Sequence, residues 1–107
     1  GFSAKKALTL KDESKILRIL NIKDLTRKKN LQHVRARIIG TEGKTKRTIE
    51  NISGADIVIK DNEIGIIGNA ELIEEIVTAV SNLVRGTKQS NTYRYLEKMN
   101  RNKKLNS

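Results

Sequence analysis

The residues best suited to chemistry are two glycines three positions apart, Gly40 and Gly43, followed directly by a basic run. Glycine permits a sharp turn and leaves no side chain between the main chain and a ligand. A phosphate chain could therefore approach the main-chain N–H groups and the N terminus of the following helix, which favours anions. Lys44, Lys46 and Arg47 add positive charge beside the turn. The pattern predicts a phosphate-binding turn, although the same spacing also occurs in plain helix–turn–helix connections.

Other reactive side chains are scattered along the chain. His33 is the one His and there is no Cys, so a metal site would need carboxylates alone. Glu74 and Glu75 fall on the solvated side of a predicted helix rather than in an acid–base pair. Gly65 and Gly68 lack the Lys-Ser/Thr of a nucleotide-binding loop. We therefore predict no catalytic residue, metal or cofactor, and a surface or structural role for His33.

The charge of the chain predicts a polyanionic partner. The formal net charge is +10 over 107 residues, with 32% charged and 36% hydrophobic residues. Residues 15–47 carry eleven Lys and Arg against two acids, whereas residues 48–84 carry one Lys against seven acids. A surface tuned only for solubility would mix the signs. No apolar run approaches the roughly 20 residues that span a bilayer, so nucleic acid is favoured over membrane.

Hydrophobic spacing predicts the elements that position the glycine turn. Residues 15–23 fit a strand better than a helix, because they are few and rich in Ile. Leu31, Val34 and Ile38 lie on one face of a helix that ends at Gly40. A second helix carrying Ile49 and Ile52 follows Gly43 and ends at Gly54. The glycine turn is thus predicted to join two helices.

The second half predicts a hairpin and two helices. Residues 56–60 and 63–67 read as strands around an Asp-Asn turn. Asn69 is the expected N-cap of a long amphipathic helix that Gly86 closes. Ser90 is the expected cap of a last helix. On that helix Tyr93 and Tyr95 face different sides, so we expect one to pack on the domain, while the other could stack on a base.

This arrangement resembles the type I K-homology (KH) domain of RNA-binding proteins. Residues 38–59 read Ile-Ile-Gly-x-x-Gly, then Ile49, then Ser-Gly-Ala, then Ile-Val-Ile, in the KH register without a gap. The resemblance implies an α+β fold of order β-α-α-β-β-α with a C-terminal helical extension. The predicted parts are an N-terminal segment (1–14), the KH domain (15–86) and a basic C-terminal helix and tail (87–107).

By the resemblance, single-stranded RNA would lie in a groove beside the glycine turn. Ile39 and Ile49 would line one wall and Ile57 the other, although plain core packing is an equal reading for Ile49 and Ile57. Lys46 and Glu42 depart from the general pattern, which favours an apolar residue and a neutral loop. The expected RNA-binding residues are Arg35, Arg37, Ile39, Gly40, Thr41, Glu42, Gly43, Lys44, Lys46, Arg47, Ile49 and Ile57.

One KH subfamily accommodates both departures, the partner-of-NOB-one or "Dim-two" assembly factors of the small ribosomal subunit. The most specific matching piece is Gly43–Lys46 with Thr48–Asn51, and the resemblance extends along nearly the whole chain to Tyr93–Glu97. The tail looks archaeal and Thr-Ile-Glu-Asn looks eukaryotic, so the lineage stays open. Members usually carry another KH-like domain upstream, which predicts that this chain is a fragment.

The resemblance implies a non-enzymatic protein that binds pre-rRNA near its 3′ end during small-subunit assembly. Its implied protein partners are the endonuclease that trims this end and other pre-ribosomal proteins. The location would be intracellular, namely the nucleolus and cytoplasm in a eukaryote or the cytoplasm in an archaeon. Two alternatives stay open: a KH module of mRNA decay or translational control, and a protein scaffold with a vestigial RNA site.

Overall fold

The computed structural model describes residues 14–106 of the chain, with side chains to Asn102. In the sequence, Phe2, Ala7, Leu8 and Leu10 could pack a short helix onto the domain, but these residues lie outside the described range. The elements are β1 (Lys15–Asn21), α1 (Ile22–Leu25), α2 (Leu31–Ile39), a 3-10 turn (Thr41–Gly43), α3 (Lys44–Ser53), β2 (Asp56–Lys60), β3 (Glu63–Asn69), α4 (Ile73–Arg85) and α5 (Gln89–Asn106). The predicted order is confirmed, with one short helix added after β1.

The three strands form an antiparallel sheet of order β1-β3-β2. Ile57 of β2 pairs with Ile66 of β3, and Leu20 of β1 pairs with Ile64. Because side chains alternate across a strand, these residues share the face that the helices cover. The opposite face carries Leu17, Ile19, Val58 and Ile67, which are exposed by 56%, 61%, 57% and 36%. Val58 therefore points away from the helices.

The core lies between the sheet and the helices. It is built almost wholly from Ile, Leu, Val and Ala, and its members are Ile22, Val34, Ile38, Ile49, Ala55, Ile57, Ile64, Ile66, Ile73, Ile76, Ala79, Val80, Leu83, Val84 and Leu96. Leu96 lies on α5, and its neighbour Thr92 is also buried. The first half of the C-terminal helix thus packs on the domain, as predicted. Tyr93 and Tyr95 are both half-buried against the core.

Three predicted boundaries were wrong. The strand 15–23 ends at Asn21, whose side chain accepts from Lys23 N and starts α1. Asn69 ends β3, and its side chain accepts from Glu71 N in a turn before α4 begins at Ile73. Ser90 lies inside the first turn of α5 rather than before it. A polar side chain marks the change of direction at Asn21 and at Asn69. The helices α4 and α5 begin within three residues of their expected positions, whereas α1 was not expected.

Candidate nucleic-acid interface

The turn between α2 and α3 depends on glycine at Gly40. This residue has φ 79° and ψ 171°, a combination that residues with a side chain essentially never adopt. A Cβ at Gly40 would lie 2.3 Å from Thr45 Oγ1 and 2.6 Å from Thr45 N. The N–H of Gly40 also donates to Ala36 O at 2.8 Å, which closes α2. The backbone at Gly40 is therefore fixed by close packing against the first turn of α3.

The next part of the turn, Glu42 and Gly43, has a left-handed backbone. Glu42 has φ 55° and Gly43 has φ 76°. Gly43 N–H donates to Gly40 O at 3.1 Å, so the turn is closed by its own main chain. Thr41 and Glu42 are exposed, and the carboxylate of Glu42 makes no hydrogen bond or ion pair among the described residues. We call residues 40–43 the phosphate loop.

No side chain caps the N terminus of α3, which follows the phosphate loop directly. The positive end of the helix dipole is thus open to an anion. Lys44 and Arg47 are exposed beside it, and Arg47 Nη1 lies 3.7 Å from the point that a Cβ at Gly43 would occupy. Cations at a helix N terminus are unfavourable unless an anion joins them. This arrangement suits a phosphate.

Lys46 faces the junction between α3 and β2. Its Nζ lies 3.3 Å from both carboxylate oxygens of Glu50. Glu50 Oε2 in turn accepts from the main-chain N–H of Ile57 at 2.9 Å. Ile39 and Ile59 are half-buried. We call the surface formed by Lys46, Glu50 and Ile59 the α3–β2 junction.

Ile49 and Ile57, expected as candidate wall residues, lie in the core. Ile49 is 0% and Ile57 2% exposed. Of the two readings that the sequence left open, core packing therefore describes both side chains in this structure. They pack beneath the α3–β2 junction and are not exposed on its surface.

Arg35 and Arg37 lie on different sides of α2, as expected for helical residues two positions apart. Arg35 Nη1 donates to Asp61 O in the β2–β3 turn at 2.8 Å. Arg37 Nη2 donates to the carbonyls of Gly86 and Thr87, between α4 and α5. The structure thus separates Arg37 from the α3–β2 junction and gives both side chains a role in holding elements together.

Features that would indicate another chemistry are few. Glu74 pairs with Arg18 at 2.6 Å rather than with a second acid. Within residues 14–106 no group of three or more His, Cys, Asp or Glu could hold a metal ion. The described helices include none that is long and apolar enough to cross a bilayer.

Two features escaped the sequence reasoning. The spacing of Lys46 and Glu50, four residues apart on a helix, could have suggested their ion pair. The contact between Glu50 and Ile57 could not have been found, because it depends on the position of β2 beside α3. The second feature is a cleft of about 830 Å³ between α2 and α5. Nothing in the local pattern brings residues 33–45 to residues 88–93.

Comparison with protein families decides the assignment. The family model for the second KH domain of PNO1 proteins, described as a eukaryotic type KH-domain (KH-domain type I), matches residues 16–101. The chain belongs to the PNO1 family. The predicted α+β KH fold with a C-terminal helix is confirmed.

Curated relatives agree with this family. A KH domain-containing protein of Methanocaldococcus jannaschii is 33% identical over 99 residues, covering 92% of this chain and 44% of the relative. The pre-rRNA-processing protein pno1 of Emericella nidulans is 32% identical over 103 residues, covering 92% of this chain and 40% of the relative. The chain thus spans less than half the length of these relatives.

Solved structures share the fold over most of the chain. A protein of unknown function from Aeropyrum pernix superimposes with a TM-score of 0.82 at 33% identity, covering 99% of this chain and 57% of that one. Dim2p of Pyrococcus horikoshii, solved in a complex with a/eIF2alpha and rRNA, superimposes with a TM-score of 0.77 at 39% identity. This second match covers 95% of this chain and 56% of that one.

Proposed function

We propose that this PNO1-type KH domain binds single-stranded pre-rRNA near the 3′ end of the small-subunit rRNA and acts in small-subunit processing without catalysing a reaction. The observation that carries the proposal is the phosphate loop, which presents an uncapped helix N terminus between exposed Lys44 and Arg47. Relatives named for pre-rRNA processing and a relative solved with rRNA support the choice of RNA class.

The phosphate loop would bind the RNA backbone rather than the bases. Gly43 leaves the main chain open to approach, because a Cβ there would meet only Arg47 Nη1 at 3.7 Å, whereas Gly40 is packed against Thr45. In KH domains such a loop clamps about four nucleotides. The bases would then lie along the α3–β2 junction, against Ile39 and Ile59. The Lys46–Glu50 pair places hydrogen-bonding groups there in place of a purely apolar wall.

The protein partners belong to the same proposal. The endonuclease that trims the rRNA 3′ end and other pre-ribosomal proteins are implied by the family resemblance. The site of action would be intracellular, in the nucleolus and cytoplasm or in the cytoplasm according to lineage. Both expectations follow from the choice of pre-rRNA as ligand.

Crosslinking in cells of the source organism, followed by sequencing of the bound RNA, tests the proposal. We expect reads concentrated at the 3′ end of small-subunit rRNA and its precursor. Reads scattered over mRNA would instead indicate a KH module of mRNA decay or translational control. Absence of crosslinked RNA, with protein partners still recovered, would indicate a scaffold with a vestigial RNA site.

A further inference from the structure

The cleft between α2 and α5 shares no lining residue with the α3–β2 junction. Gly40 and Thr41 of the phosphate loop line this cleft, so the cleft adjoins the loop. Its volume of about 830 Å³ lies in the range that small-ligand sites occupy. We call it the α2–α5 cleft and define it by His33, Arg37, Lys44, Lys88, Ser90 and Tyr93.

The charged Lys and Arg side chains that line the α2–α5 cleft are all positive. Lys44 enters from the first turn of α3, Lys88 from the residue before α5, and Arg37 from α2. Lys44 and Lys88 are exposed, and neither makes an ion pair among the described residues. No acidic side chain lines this cleft in the described part of the chain. A concave surface with this charge attracts anions.

An aromatic side chain adds a second kind of contact. Tyr93 lines the α2–α5 cleft and is half-buried against the core, so its position is held by packing. His33 lines the same space and is exposed. Bases stack on aromatic rings with little regard to sequence, and each such stack contributes about 1–3 kcal/mol. An acidic peptide would pair with the Lys side chains but would gain no comparable stacking on the Tyr93 ring.

We propose that the α2–α5 cleft is a second subsite for single-stranded RNA, which takes a nucleotide flanking those at the phosphate loop. This inference rests on the proposed function. Lys44 and Lys88 contact its phosphate, and the ring of Tyr93 stacks on its base. The strand therefore passes the phosphate loop instead of ending there, and Lys44 is shared by the two subsites.

Two exposed lysines in the C-terminal part of the chain, Lys88 and Lys98, provide a matched test. Lys88 lines the α2–α5 cleft, whereas Lys98 lies on α5 away from it. Binding of the full chain to a tetranucleotide and an octanucleotide from the rRNA 3′ end would be measured by fluorescence anisotropy. We expect Lys88→Ala to weaken octanucleotide binding at least about threefold more than Lys98→Ala does, because one close phosphate contact is lost. Tetranucleotide binding should change equally in both variants.

Tyrosine emission gives a readout that a structural role of Tyr93 would not produce. The chain has two Tyr and no Trp, so Tyr95→Phe leaves Tyr93 as the one tyrosine. We expect the octanucleotide to quench its emission and the tetranucleotide to leave it unchanged. In a Tyr93→Leu variant, which keeps apolar packing, circular dichroism should stay unchanged while octanucleotide affinity falls.

The outcomes separate this inference from the proposed function. If neither RNA binds the unaltered chain, the proposed function fails. If both bind but Lys88→Ala and Lys98→Ala are equal and Tyr93 emission is unchanged, the α2–α5 cleft is not an RNA subsite. That second result is also what a cleft serving an acidic protein segment would give.

Discussion

Glu50 and Ile57 join α3 to the edge strand β2: a carboxylate oxygen of Glu50 accepts a hydrogen bond of 2.9 Å from the main-chain N–H of Ile57. This N–H lies on an edge of the described sheet, where no further strand accepts it. The same carboxylate lies 3.3 Å from Lys46 Nζ. The Glu50 side chain therefore accepts the hydrogen bond of an edge-strand N–H and also neutralises the positive charge of Lys46 at the α3–β2 junction.

Two substitutions of Glu50 should separate these roles. Glu50→Ala leaves the Ile57 N–H without its acceptor, so we expect the free energy of unfolding to fall by about 1–3 kcal/mol. Glu50→Gln keeps an acceptor oxygen and loses only the ion pair, so the fall should stay below about 1 kcal/mol. Urea denaturation measures both. Equal losses would mean that the hydrogen bond to Ile57 contributes nothing.

Acidifying the phosphate loop should weaken RNA binding. Thr41→Asp combined with Glu42→Asp keeps a short side chain that tolerates the left-handed backbone at residue 42. The added negative charge should weaken binding by on the order of tenfold, because repulsion of about 1 kcal/mol or more acts at short range. Filter binding to single-stranded RNA measures the effect. The matched neutral pair, Thr41→Asn with Glu42→Asn, should bind at least as tightly as the unaltered chain.

Gly40 and Gly54 offer a comparison of strain with and without a clash. Both have positive φ, at 79° and 72°, but a Cβ at Gly54 would meet nothing within 4 Å. Gly54→Ala should therefore cost about 1–2 kcal/mol of backbone strain. Gly40→Ala should cost more, since its Cβ would strike Thr45. Thermal unfolding followed by circular dichroism ranks the two variants, and equal melting temperatures would contradict the close packing at Gly40.

RNA binding should depend steeply on salt. If about 4–6 phosphates of a single strand are neutralised, the log–log slope of affinity against salt is about −3 to −4. Lys44→Ala should make the slope shallower by about 0.7, the contribution of one contact. Titrations between low and physiological salt measure it. A slope near zero would exclude the basic face as the binding surface.

The end of α5 should contribute charge without stability. Asn100 Nδ2 donates to Ile52 O at 3.3 Å. A truncation that keeps this hydrogen bond must therefore begin after Asn100. Deleting residues 103–107 removes Lys103 and Lys104. We expect an unchanged melting temperature and roughly two- to fivefold weaker RNA binding at low salt. Lys103→Gln with Lys104→Gln should reproduce the loss. Earlier unfolding with unchanged affinity would make this segment structural.

The fold could be predicted from the sequence because most of its signals are local. Gly40, Gly43 and Gly54 mark the helix ends, and alternation along β2 and β3 fixes the hairpin. The four-residue helix α1 was missed since one turn shows no periodicity. Its Ile22, which is fully buried, falls within residues 15–23, which were predicted to be a strand.

The candidate site was predicted less completely, and for a physical reason. A motif places residues along the chain, whereas burial and long-range contacts decide what each side chain can touch. Ile49 and Ile57 fit the motif but lie in the core, and Arg37 bonds to carbonyls of the α4–α5 connection. The residues of the α2–α5 cleft come from three helices and a connection, so only their packing brings them together.

The fixed backbone at Gly40 has a kinetic consequence. Under the proposed function, a loop whose backbone is held by this packing would lose little conformational entropy on binding RNA. Association should then be rapid and steered by charge, while differences among RNA sequences appear in how long each complex lasts. Under the proposed function, residence time rather than association rate would then distinguish one RNA target from another.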